Sequence, residues 1–211
     1  MFTISDEGPI RTLTIDNPAR RNAVPREGWL ALAGHLGDFA ASDARVLVIT
    51  GAGGDFCSGA DLGGDLAAMT SSVTRYEWMQ HVATATRALH GLVKPTVAAV
   101  DGVAVGAGMN LALGCDVVIA TDRARFSEIF VRRGLTVDFG GTWLLPRLVG
   151  LARAKELALT GRIVGGEEAL DLGLVAQVVA PGELMQSAAA VADELAAAAP
   201  IAQRFVKEGM D

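Results

Sequence analysis

The residues with the most chemical potential lie in two glycine-bearing stretches and a few isolated carboxylates. Gly106-Ala107-Gly108 leads into what reads as a short buried helix, Met109 to Leu113, ended by Gly114. A helix's first amides have no internal acceptor and carry the positive end of its dipole, so they can point at a developing oxyanion. Glycine in a first turn costs about 1 kcal/mol against alanine, so two of them imply a close approach to the backbone. Close helix–sheet packing is the simpler account of those glycines, and the stretch alone leaves both open. The second stretch, Gly51-Ala52-Gly53-Gly54-Asp55, runs into Phe56-Cys57-Ser58-Gly59-Ala60-Asp61-Leu62. No Gly-Lys-Ser/Thr follows, so it is not a P-loop, and Phe56 excludes a Gly-x-Ser-x-Gly nucleophile elbow. Asp138 stands just ahead of a helix expected to start near Gly140 and, by pattern alone, reads as its N-cap. Cys57 and Cys115 make no CxxC pair, and His35, His81 and His90 show no ligand spacing, so no metal site or disulfide framework is expected.

The elements that must position these groups alternate in type. Phe2 to Ile15 read as a hairpin turning at Asp6 to Pro9, and Pro25 opens a helix to about Ala41. Arg45 to Gly51 is the clearest buried strand, and Val97–Val100, Val103–Val105, Asp116–Ala120 and Leu174–Ala180 are others. Residues 63–91 read as helical, with Trp78, Val82, Ala85 and Leu89 on one face. The run from Arg125 reads as a short helix, on which Glu128 would face away from Phe130. A loop and a helix near Gly140 follow, then helices over 150–161 and 166–172 and a long alanine-rich helix after Pro181. This alternation implies an α/β class with a largely parallel sheet.

Composition narrows the partners. The 211 residues are 51% hydrophobic with a net charge of −6, which argues against a nucleic-acid surface. No apolar run approaches the ~20 residues that span a bilayer. The N-terminus shows no secretory pattern, so a soluble, reduced, cytoplasmic protein is expected.

With Phe56 to Leu62 and Asp101-Gly-Val-Ala-Val-Gly-Ala-Gly-Met-Asn-Leu111 both on the page, the chain resembles the crotonase (enoyl-CoA hydratase/isomerase) superfamily. Lys94 to Val100, Phe139 to Arg147, Leu159 to Ile163 and Ala169 to Val175 extend the likeness over essentially the whole chain. The resemblance implies a crotonase-like spiral of ββα units in a single domain over residues 1–211. Residues 1–180 would form the spiral core, and 181–211 a truncated C-terminal helical region with Ile201–Met210 as a surrogate helix. It also implies trimers or pairs of trimers and an acyl-CoA thioester as ligand, with coenzyme A belonging to the substrate and no separate cofactor.

Carried over position by position, the amides of Ala60 and Ala107 resemble the family's two oxyanion-hole donors. Gly106, Gly108 and Gly59 would keep side chains out of the thioester's way, and Val105 and Phe130 are expected among the substrate-binding residues. Ser58, Asp61 and Leu62 resemble the edge that meets coenzyme A, and Asn22-Ala23 the segment over it. The two hydratase glutamates fall at Asn110 and Phe130, neither able to act as a general base. Asp138 matches the aspartate of isomerases of the ring-opened phenylacetyl-CoA type, and its apolar neighbours Phe130, Val137 and Phe139 would raise its pKa. The resemblance therefore favours an enoyl-CoA double-bond isomerase with Asp138 as proton shuttle. A hydratase with an unconventional base and a non-catalytic acyl-CoA-binding homologue are the alternatives.

Overall fold

A computed structural model describes residues 1–63 and 71–210; the first part of the helix expected over 63–91 lies outside the described residues. The chain opens with the expected hairpin, β1 (Phe2–Glu7) antiparallel to β2 (Ile10–Ile15). Helix α1 (Arg26–Ala41) follows, with Pro25 at its N-cap, and leads to β3 (Val46–Gly51). After α2 (Ser72–His90) come β4 (Thr96–Val100), β5 (Val103–Val105), α3 (Ala107–Leu113) and β6 (Val117–Thr121).

The second half contains β7 (Arg125–Ser127), α4 (Gly141–Val149), α5 (Leu151–Thr160), β8 (Val164–Gly165) and α6 (Gly166–Asp171). Strand β9 (Gln177–Val179) and helices α7 (Leu184–Ala197) and α8 (Pro200–Met210) complete it. The main sheet has the order β1-β2-β3-β4-β6-β9, parallel except for the hairpin, and β5-β7-β8 form a smaller sheet.

Strand β3 is apolar along its length because both its faces are covered. Leu47 and Ile49 join the larger core, with Trp29, Leu36 and Phe39 of α1 and with Trp78, Val82, Ala85 and Leu89 of α2. Val46 and Val48 point the other way, onto Leu184, Ala188 and Ala192 of α7. Alanines on α7 let that helix lie close to the small Val97, Ala99 and Ile119 side chains of the sheet.

One expected element takes a different form. Residues 125–127 pair in parallel with Val103–Val105 and antiparallel with β8 instead of coiling, and a single 3-10 turn spans Ile129–Arg133. Phe126 is fully buried in that pairing. The edge of β5 needs a partner for its backbone groups, and this long-range pairing outweighs the local helical pattern. Glu128 consequently sits at a strand-to-turn junction, not on a helix.

Candidate active site

The two glycine-bearing stretches meet. The segment after β3 hangs on β5 through Cys57 N to Val103 O at 2.9 Å and Val105 N to Cys57 O at 3.0 Å. It hangs on the loop before α1 through Val24 N to Gly59 O at 2.8 Å and Asp61 N to Val24 O at 2.9 Å. In this bridge the Ala60 N–H points away from Val24. The neighbouring amides are all engaged: Ser58 N donates to Arg21 O at 3.0 Å and Gly59 N to Cys57 Sγ at 3.4 Å. Among the described residues, the Ala60 amide is the one in this run without an acceptor. Ala107 is the first residue of α3, so its amide likewise has no partner within the helix.

Gly59 and Gly108 bring these two donors to one place. Gly59 has φ +83, and a Cβ there would lie 2.9 Å from Val105 O and 3.3 Å from Ala107 N. A Cβ on Gly108 would lie 2.1 Å from the Cys57 carbonyl oxygen. The missing Gly108 side chain therefore faces protein backbone and not a ligand, which corrects its expected role of leaving room for the thioester. It lets the start of α3 touch the 57–60 segment. Gly106 does face the opening and has φ +57.

Ala60 and Ala107 line a cavity of about 280 Å³ together with Ser58, Gly59, Leu62 and Gly106. Trp78 and Met79 of α2, Ile129 and Phe130 of the 3-10 turn, and Leu135 supply its apolar wall, with Arg75 and Arg133 among the other residues lining it. Asp138 is the one carboxylate among the described residues lining this cavity. The carboxyl is not a helix cap: Gly140 occupies the N-cap of α4 in the left-handed region, and Gly141 N takes the Asp138 backbone carbonyl at 2.9 Å. Phe139 also has a positive φ, +49, a costly conformation for an aromatic residue. Its ring packs on Trp29 with centroids 5.5 Å apart, and that anchor helps hold the turn that aims Asp138 inward.

Burial pushes the Asp138 carboxyl up to about 7, and its Oδ1 is buried without a hydrogen-bond partner. Asn110 is fully buried behind it; its Nδ2 donates to the Asp138 carbonyl at 3.0 Å and to Glu128 Oε2 at 3.4 Å. Burial first, then the Asp138 charge, pushes Glu128 up to about 8, against the opposing pull of the Asn110 hydrogen bond. Cys57 and Cys115 are pushed to about 12 chiefly by burial, so neither is a ready thiolate nucleophile.

Several residues expected at the site are committed elsewhere. Asn22 is fully buried, donating to Ala52 O at 2.8 Å and Asp55 O at 2.6 Å and accepting from Asn17 N at 2.8 Å. It ties loops together and, like the buried Ala23, does not line the cavity. Asp61 accepts from Arg20 at 2.5 Å and from the Gly63 amide. Val105 contributes through its strand backbone. Sequence reasoning missed the cavity roles of Trp78 and Met79 and the placement of Glu128. A lone carboxylate in the apolar run from Phe126 to Phe130 was the available signal for the last.

This topology, with two backbone amides lacking acceptors and one buried carboxyl around an apolar cavity, defines an α/β protein equipped to hold a carbonyl oxygen and exchange a proton. The enoyl-CoA hydratase/isomerase family matches residues 6–211, and the chain belongs to that family. It is 38% identical to 1,2-epoxyphenylacetyl-CoA isomerase of Escherichia coli, over 97% of this chain and 79% of that protein. It is 35% identical to short-chain-enoyl-CoA hydratase of Clostridium acetobutylicum, over 99% of this chain and 80% of that protein. Among solved structures, an enoyl-CoA hydratase from Polaromonas superposes with a TM-score of 0.93 at 34% identity, covering 98% of this chain and 81% of its own. The fold is thus crotonase-like. Among the described residues no helix is long and apolar enough to cross a membrane.

Proposed function

We propose that this chain isomerises an enoyl-CoA thioester, with Asp138 carrying the proton. The observation that carries this reading is that Asp138, the one carboxylate among the described residues lining the cavity, shares it with Ala60 and Ala107, whose amides have no acceptor among those residues. The thioester oxygen would take both amides. Asp138 as carboxylate removes a proton from one carbon, the electron pair moves onto the carbonyl oxygen as a dienolate, and the protonated Asp138 returns the proton to a different carbon. The double bond shifts and the carboxyl ends as it began. A carboxyl held near 7 exchanges protons readily in both directions at neutral pH.

Membership of a family that includes hydratases supports acyl-CoA chemistry in general. Hydration by two carboxylates needs both to reach a water in the cavity. Phe130 takes one of the positions where the resemblance puts a glutamate, and the other holds Asn110, buried behind the wall. The test is Asp138→Asn assayed with a 3-enoyl-CoA. Loss of isomerisation, together with wild-type deuterium uptake at the α-carbon, is the expected pattern; Asp138→Asn activity within a few-fold of wild type overturns the reading. Acyl-CoA binding by the wild type with no α-carbon exchange would instead mark a non-catalytic binder.

A further inference from the structure

Behind the cavity wall lies an acid that the cavity does not see. Glu128 is 1% exposed at the junction of β7 and the 3-10 turn. Its Oε2 accepts Asn110 Nδ2 at 3.4 Å, and the same Nδ2 donates to the Asp138 carbonyl at 3.0 Å. A carboxamide nitrogen has two N–H donors, so both are committed. What remains on the two side chains is Asn110 Oδ1 and Glu128 Oε1, each buried and without a partner. With Glu128 ionised, these are two buried acceptors with no donor for either, an expensive arrangement in a low-dielectric interior. One proton changes the count. A carboxylic acid presents a donor beside an acceptor, the complement of a carboxamide's edge, so the Glu128 O–H is the donor that Asn110 Oδ1 lacks.

We propose that Glu128 is a positioning residue, held as a neutral acid paired with the Asn110 carboxamide, and that through Asn110 it fixes the Asp138 peptide and hence the reacting carboxyl. The proposal rests on the reading of Asp138 as proton carrier. Space around the trio leaves little room for other arrangements: a Cβ on Gly141 would lie 2.3 Å from Asn110 Nδ2. The charged and titratable groups nearby are few. Asp138 acts on Glu128 from the loop before α4, and His90 at the end of α2 packs against Gly114 and Gly140. Arg75 and Arg133 line the cavity, and Arg132 turns its Nε to the Thr160 carbonyl. The arginines keep their charge throughout. Loss of an alkaline change near pH 8 in Glu128→Gln assigns that change to Glu128. Once ionised, it loses its O–H toward Asn110 and places a second negative charge behind Asp138.

The experiment measures kcat and KM against pH for wild type, Glu128→Gln and Glu128→Leu with a 3-enoyl-CoA, alongside Asp138→Asn. Wild type should give a bell, rising through about 7 and falling near 8. Glu128→Leu should lose about tenfold or more in kcat with KM within about twofold. Glu128→Gln, whose amide keeps one donor and one acceptor, should recover most of that loss and lack the alkaline limb. An alkaline limb that survives in Glu128→Gln overturns the proposal, as does a Glu128→Leu protein with wild-type rate and profile. Should Glu128→Leu fail to fold, the Glu128→Gln profile decides alone. If Asp138→Asn keeps its activity, the underlying reading fails, and infrared difference spectra then test the Glu128 proton separately. A protonated-carboxyl band at pH about 6 that vanishes in Glu128→Gln supports the neutral acid, and its absence from wild type overturns it.

Discussion

Two aspartates bracket the β5–α3 unit, and they are opposites. Asp101, in the turn before β5, is surrounded by donors. Its Oδ1 accepts from the Gly102 amide at 2.9 Å, Thr121 Oγ1 at 2.6 Å and Arg123 Nε at 3.2 Å, and its Oδ2 from a second Arg123 nitrogen. Burial alone would raise its pKa, but Arg123, Thr121 and the Gly102 amide together hold it below the ordinary carboxylate value. Asp138, on the far side of α3, is buried with a donorless Oδ1 and sits near 7. The same side chain is a fixed anion in one place and a carboxyl poised near neutrality in the other. What differs is burial together with the supply of donors: burial alone raises Asp138, whereas two side chains and one amide donate to the less buried Asp101.

Exchanging the two roles by mutation gives the sharpest break of this comparison. Asp138→Asn should cost about 10³-fold in kcat/KM for isomerisation, while Asp101→Ala should stay within a few-fold per folded molecule, both read from initial rates. Stability should answer the other way. Asp101→Ala strands the Thr121 hydroxyl and the Gly102 amide and should lose about 2–4 kcal/mol in urea unfolding, whereas Asp138→Asn should lose none.

The pH dependence follows with opposite signs. Asp138 and Glu128 hold their protons more tightly when folded, so the stability they contribute is whole below about pH 4 and is lost as pH rises through about 7 to 8. Asp101 contributes stability above about pH 4 that is lost as pH falls through its depressed value. Asp138→Asn or Glu128→Gln should therefore flatten the decline between about pH 4 and 8 by roughly 1–3 kcal/mol, measured as unfolding midpoints across pH. The smallest effect is expected for Thr121→Val, which removes one of several donors to Asp101 and should cost about 1 kcal/mol without touching the rate profile.

Local pattern was enough wherever an element's identity rests on its own residues. The unbroken apolar run of β3 and the Trp78, Val82, Ala85, Leu89 face of α2 fall as their spacing implies. Gly106-x-Gly108 announced a close approach, but spacing cannot say what approaches; the answer for Gly108 is the Cys57 carbonyl. Residues 125–133 misled because β5, twenty-two positions earlier, decides their conformation. Asn22 misled for a related reason: a buried asparagine that ties three loop segments has the same one-letter signature as one that meets a ligand. Glu128 needed coordinates, since the side-chain partner it has among the described residues is eighteen residues away on α3.

The bridge that joins Val24 to Ala60 has a spectroscopic consequence. Hydrogens on Cys57, Ser58 and Asp61 are locked against carbonyls, whereas the one between them on Ala60, a residue of the cavity wall, has no acceptor among the described residues. Deuterium should enter that single position fast in the empty protein and slowly once a thioester fills the slot, so a lone backbone resonance can serve as an occupancy gauge even for ligands that never turn over.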